Sequence, residues 1–146
     1  MGKAAERYRS RELLVSLLYQ WEFDHTLSAL GSEHPEMAAQ RYDAEYYKVV
    51  SQEILQRVSD LDAALRPLLD RDIEVLSKIE LAVLRLGCYE LIYREDIPFK
   101  VCIDQAARLN KQFGSIDGHK YINAILDALA KQHRQLEYAV AQEKGR

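Results

Sequence analysis

Apolar residues recur along most of this chain at three- and four-residue spacing. That is the period of a helix with one buried face, not the alternation of a half-buried strand. Leu13, Leu14, Leu17, Leu18 and Trp21 trace the first such face. Ser10 either caps the start of that helix or lies inside it, with the charged arm upstream helical as well. Asp24 to Pro35 contains Gly31 and Ser32 and reads as a loop or a short broken helix. A second long helix is predicted from near Asp43, with Tyr47, Val50, Ile54, Val58 and Leu61 at helical spacing. Asp60 is the expected start of a short helix carrying Leu61 and Leu65, which Pro67 weakens because it has no N–H to donate. Asp70-Arg71-Asp72 is the expected boundary between two helical subdomains.

The next element is the most hydrophobic. Leu76, Ile79, Val83, Leu86 and Glu90 trace one face, while Leu84, Cys88 and Leu91 widen the apolar coverage, so this helix should be central. Gly87 within it would let another helix approach closely. Asp96-Ile97-Pro98 ends one helix and starts another, whose inward face is Phe99, Cys102, Ala106, Leu109 and Phe113, with Gly114 as its stop. After Ser115-Ile116-Asp117-Gly118, where Asp117 is a candidate cap, Tyr121, Ile122, Ile125, Leu126 and Leu129 mark a further amphipathic helix. Past Lys131 only Leu136 and Val140 remain as weak anchors, and the tail either frays or continues as helix. The expected architecture is all-α: an N-terminal subdomain over 1–70, a C-terminal one over 71–133, and a charged tail over 134–146.

Composition narrows the function classes. The chain has 146 residues, 48% of them hydrophobic, with six Gly and three Pro, which suits a helical globule and not a disordered chain. Cys88 and Cys102 sit among apolar neighbours and read as buried thiols in a reducing compartment; their spacing matches neither a redox pair nor a zinc site. No secretion signal or membrane-length apolar run stands out, so a cytoplasmic protein is expected. The four histidines are dispersed, HExxH and Walker A motifs are absent, and the paired aspartates fall near turns. No enzyme activity, metal or cofactor is therefore expected.

The net charge of −3 rules out a uniformly basic coat for nucleic acid. Its distribution leaves room for a confined basic site. Residues 1–21 carry four basic and two acidic side chains and residues 98–146 carry eight and five, whereas residues 22–62 carry three and nine. Lys3, Arg7, Arg9 and Arg11 look like an exposed basic approach to the first helix, with Tyr8 among them. Such cations suit phosphates, and an aromatic ring suits an unpaired base. A second candidate patch runs from Asp117 through His119, Lys120 and Tyr121, where a helix N-terminus favours phosphate. Taken alone, Tyr121 fits a core position better than a binding one.

These segments together resemble the NusB family of bacterial transcription antitermination proteins. The resemblance rests on residues 9–21, which run from Arg-Ser-Arg-Glu into Leu-Leu-Tyr-Gln-Trp; on the central run from Ile79 to Leu91; and on Pro98, Ala106, Phe113-Gly114 and His119-Lys120-Tyr121-Ile122-Asn123 through Leu126-Asp127. It implies a seven-helix fold and a noncatalytic factor that recognises boxA in single-stranded RNA together with NusE, a small-subunit ribosomal protein. By the same resemblance it joins other Nus factors on RNA polymerase, promotes ribosomal RNA transcription and assists its maturation. The implied RNA contacts are Arg7, Arg9, Arg11, Asp117, Lys120 and Tyr121, beside Lys3 from the basic arm; the implied partner contacts are Glu80, Arg85, Tyr89 and Glu90. Arg85 and Glu90 suit structural ion pairs as well. A homodimer that hides the RNA face is a competing state, and the related helical domain of ribosomal RNA methyltransferases a competing relative, one whose added catalytic domain this chain is not expected to carry.

Overall fold

The first helix, α1 (Lys3–Phe23), takes in the charged arm, so Ser10 lies inside it and Gly2 stands at its N-cap. Ser10 is held there by a long-range bond: its hydroxyl donates to the Asp43 carbonyl oxygen at 2.8 Å. Leu13, Leu14, Leu17 and Leu18 are buried as their spacing requires, while Trp21 is half-buried and stacks on His25 at 4.0 Å. The second helix, α2 (Ala44–Gln56), starts at Asp43, whose carboxylate accepts from the Tyr46 N–H at 3.0 Å. That cap also fastens the two helices together, because the Arg7 guanidinium donates to the same carboxylate at 2.9 Å. The computed structural model describes residues 2–28, 41–114 and 118–144. The expected loop from Asp24 to Pro35 and the Asp117 cap therefore lie partly or wholly outside the described residues.

The chain divides into two compact units, Met1–Asp60 and Leu61–Arg146. The division falls within α3 (Val58–Leu65), upstream of the Asp70-Arg71-Asp72 segment expected from sequence. The reason is that the second half of α3 is committed to the helix after it. Asp62 accepts two hydrogen bonds from Arg85, both at 2.9 Å, and the Cys88 thiol donates to the Leu61 carbonyl at 3.9 Å. Pro67 lies in a 3-10 turn, Arg66–Leu68, that ends the helix, and a second turn follows at Ile73–Val75.

In the second unit α4 (Lys78–Tyr93) is buried without interruption from Leu81 to Leu91, which makes it the central helix. Ser77 caps it by accepting from the Glu80 N–H at 3.2 Å. At Gly87 a Cβ would lie 2.7 Å from the Leu126 side chain and 3.4 Å from the Ala106 Cβ. The missing side chain is what lets α5 (Phe99–Phe113) and α6 (Gly118–His133) close on α4. Phe113 is exposed, unlike the rest of its expected face, because it sits on the last turn of α5; buried Asn110 takes the inward place one turn earlier.

Of the two alternatives for the charged tail from 134 onward, the described residues take the helical one, α7 (Gln135–Lys144), within the second unit. Leu136 and Val140 are not its anchors, since both point to solvent. The anchor is Arg134, a buried arginine that donates to the carbonyls of Glu90, Leu91, Arg94 and Ile97 at 2.8–3.1 Å. Its last donor holds Glu137 at 2.8 Å, and Glu137 in turn accepts from the Phe99 N–H at 2.7 Å. Because Pro98 offers no side-chain cap to α5, a carboxylate from α7 supplies it.

Both cysteines are fully buried and unbridged. Burial first, and the Asp62 carboxylate second, push the Cys88 thiol up to about 12. The neutral thiol is thus favoured by folding. Its contribution to stability is complete below the unfolded value of about 8.5 and is lost as pH rises toward the folded one. Native protein at neutral pH is expected to react with a disulfide reagent such as Ellman's only over the time course of unfolding, and denatured protein at both thiols at once. Rapid native labelling would contradict this placement.

Candidate RNA interface

In the first unit, helical spacing puts Lys3, Arg7 and Arg11 on one face of α1, at successive four-residue steps. They do not share one environment. Lys3 is exposed, Arg7 is half-buried, and Arg11 is only 3% exposed. The Tyr46 ring draws the two arginines inward, with the Arg7 guanidinium 4.2 Å and that of Arg11 5.7 Å from its centroid. Arg9 lies on another face, 3.8 Å from Glu12. The exposed basic arm expected from sequence is corrected accordingly. Arg11 is a packed cation, and Tyr8, also buried, is not available to a base. Lys3 and the open part of Arg7 are what this face offers to an anion.

In the second unit the candidate patch begins at the N-terminus of α6. Lys120 is exposed, while Tyr121 is half-buried, with its phenol oxygen enclosed. The Arg71 guanidinium lies over the Tyr121 ring at 4.6 Å. Arg71 is itself held edge-on by Asp70, through Nε at 2.7 Å and Nη2 at 3.3 Å. The ion pair has readable electrostatic consequences. Hydrogen bonding from Arg71, then the Tyr121 hydroxyl, holds the Asp70 carboxyl below the usual carboxylate range. Burial, reinforced by Asp70, pushes the Tyr121 phenol up. The phenol oxygen is buried beside the Asp70 carboxylate, which favours its protonated form.

Arg71 was missed as a candidate. Asp70-Arg71-Asp72 carries an ordinary linker composition, and only the tertiary fold brings it to a ring fifty residues further along the chain. Of the four expected partner contacts, Glu80 reaches the surface. Burial decides against the docking reading of the other three: Arg85 is 4% exposed and takes its alternative role as a structural ion pair, with Asp62; Tyr89 is fully enclosed beside Tyr93, and Glu90 is 1% exposed. The run of α4 from Leu81 to Leu91 is buried throughout, so these side chains have little to present to another protein. Among the described residues no three His, Cys, Asp or Glu are grouped to hold a metal, and no helix is long and apolar enough to cross a membrane.

Comparison with known proteins places these features in a family context. The model of the NusB family matches residues 8–131. A protein of Hahella chejuensis named transcription antitermination protein NusB is 40% identical over 147 residues, covering 99% of each chain. One of Cupriavidus pinatubonensis with the same name is 40% identical over 139 residues, covering 94% of this chain and 83% of its own. Among solved structures, NusB of T. maritima superposes with a TM-score of 0.75 at 27% identity, over 91% of this chain and 96% of that one.

Proposed function

The chain belongs to the NusB family, and from that premise we propose that it is a transcription antitermination factor that binds boxA-containing single-stranded RNA together with NusE. It works without catalysis, in the cytoplasm, as an adaptor that joins other Nus factors on RNA polymerase, promotes transcription of ribosomal RNA operons and assists maturation of the transcript. The observation that carries the RNA part is the α6 N-terminus, where exposed Lys120 adjoins an aromatic ring that is only partly covered. A cation that neutralises phosphate beside a surface for an unpaired base is the usual composition of a single-strand site. Asp117, the further residue that the family resemblance points to there, lies outside the described residues. On α1 the corresponding contribution comes from Lys3 and Arg7, with Arg9 on another face of the same helix. At −3 overall the chain has little long-range attraction for RNA, which is why a basic partner such as NusE belongs in the complex. Glu80 is the one expected partner contact that remains on the surface.

The test is equilibrium binding to boxA RNA and to a scrambled RNA, with and without NusE, across a salt series. Selective binding that tightens with NusE is the expected result. Lys3→Ala and Lys120→Ala, both at exposed positions, should each flatten the slope of log affinity against log salt by about 0.7 per lost phosphate contact. Equal binding to both RNAs at every salt concentration would overturn the reading. Arg11 is unsuitable for this series, because its removal would unpack Tyr46 before it reported on RNA.

A further inference from the structure

Three parts of the Arg71 side chain are in different states. The inner face of its guanidinium covers the Tyr121 ring at 4.6 Å. One edge is taken by Asp70 through two hydrogen bonds. The side chain nevertheless keeps 48% of its surface open. An arginine with its fork already on a carboxylate is poorly placed to grip a phosphate, and Asp70 would repel one at that edge. What remains is a flat, weakly hydrated plane, fixed in orientation from below and from the side. Guanidinium planes of this kind take unpaired nucleobases by stacking.

We propose that Arg71 carries an unpaired RNA base on the outer face of its guanidinium, with Tyr121 stacked beneath it and Asp70 fixing its orientation. The proposal rests on the RNA-binding reading above and adds a contact residue to it. Exposed Lys120, next to Tyr121 in sequence, lies on the same helix end to neutralise the phosphate of a stacked nucleotide. Tyr121 alone would accept any base that reached it. The Asp70–Arg71 layer moves the stacking plane outward and presents it already ordered, so little side-chain freedom is lost on binding.

The experiment uses the full chain with NusE and boxA RNA in which 2-aminopurine replaces one nucleotide at a time. In the wild-type protein one position is expected to change its fluorescence on binding, as the base leaves its neighbours for the guanidinium. Arg71→Ala should abolish that change and weaken binding about five- to hundredfold. Arg71→Lys separates charge from shape: it keeps the cation but removes the plane, so it should lose the fluorescence change as well. Because Arg71 is exposed, both variants should keep the wild-type circular dichroism. Full rescue of signal and affinity by lysine, or an Arg71→Ala protein that binds as wild type does, would overturn the stack while leaving the RNA-binding reading intact. A wild-type protein that binds neither boxA nor scrambled RNA would overturn both.

Discussion

Replacing Arg134 with alanine is expected to destabilise the protein by about 3–5 kcal/mol, the largest loss available from one surface-type residue in the chain. The last carbonyls of a helix have no partner within it and carry the negative end of its dipole. At the C-terminal end of α4 a single guanidinium meets the Leu91 carbonyl, adds a second bond to those of Glu90 and Arg94, which also accept backbone N–H groups, and reaches Ile97. Hydrogen bonds to a charged group contribute about 1.5–3 kcal/mol each. The five made here do not add, since water would enter the vacated space and satisfy some carbonyls. Alanine would also release Glu137, so the N-terminus of α5 would lose its carboxylate cap in the same step. Lysine should recover less than half of the loss, because one ammonium cannot spread over carbonyls that a planar fork spans. The measurement is urea unfolding followed by circular dichroism; the sole tryptophan, Trp21, lies in the first unit and would not follow this region directly. A loss below about 1 kcal/mol would mean that α7 is not part of the cooperative second unit.

Arg134 also shows why part of the fold was legible in the sequence and part was not. The α4 core, the helix start near Asp43, the Gly114 stop and the close approach at Gly87 all follow from local rules, and the structure has each of them. Local rules treat arginine as surface, so Arg11 reads as an open cation and Arg134 as the start of a charged tail; Arg85, a partner contact by resemblance, equally suits the structural ion pair that it forms. Their partners lie far away in sequence: Tyr46 for Arg11, Asp62 for Arg85, and the end of α4 for Arg134. An arginine stem packs like an apolar chain once its head is satisfied, and no periodicity announces which head will be. The candidate RNA site was legible to the same extent. Lys120 and Tyr121 stand on a helix end that the sequence marks, whereas Arg71 reaches them only through the turns after α3.

Those turns begin from a helix that is held by one buried ion pair, and removing its acid is expected to cost almost as much as removing Arg134. Asp62→Ala leaves the Arg85 guanidinium 4% exposed without its bidentate carboxylate, a change of about 3–5 kcal/mol for a buried pair broken on one side. The pair itself is worth far less than that figure, because both charges were desolvated to form it. The double replacement Asp62→Leu with Arg85→Met should therefore be closer to wild type than either single variant, with a coupling energy of about 2 kcal/mol or more in a double-mutant cycle. Additive losses in that cycle would show that the two side chains act independently. The cycle also bears on the binding surface. Asp62 fixes α3 to α4, and the chain then has only residues 66–71 in which to reach the Tyr121 ring. If Arg71 is preorganised through that short connection, the Asp62→Ala protein should bind boxA RNA more weakly even where it is fully folded, while the repacked double variant should bind like wild type. Unchanged RNA affinity in folded Asp62→Ala would place the ordering of Arg71 in Asp70 and Tyr121 alone.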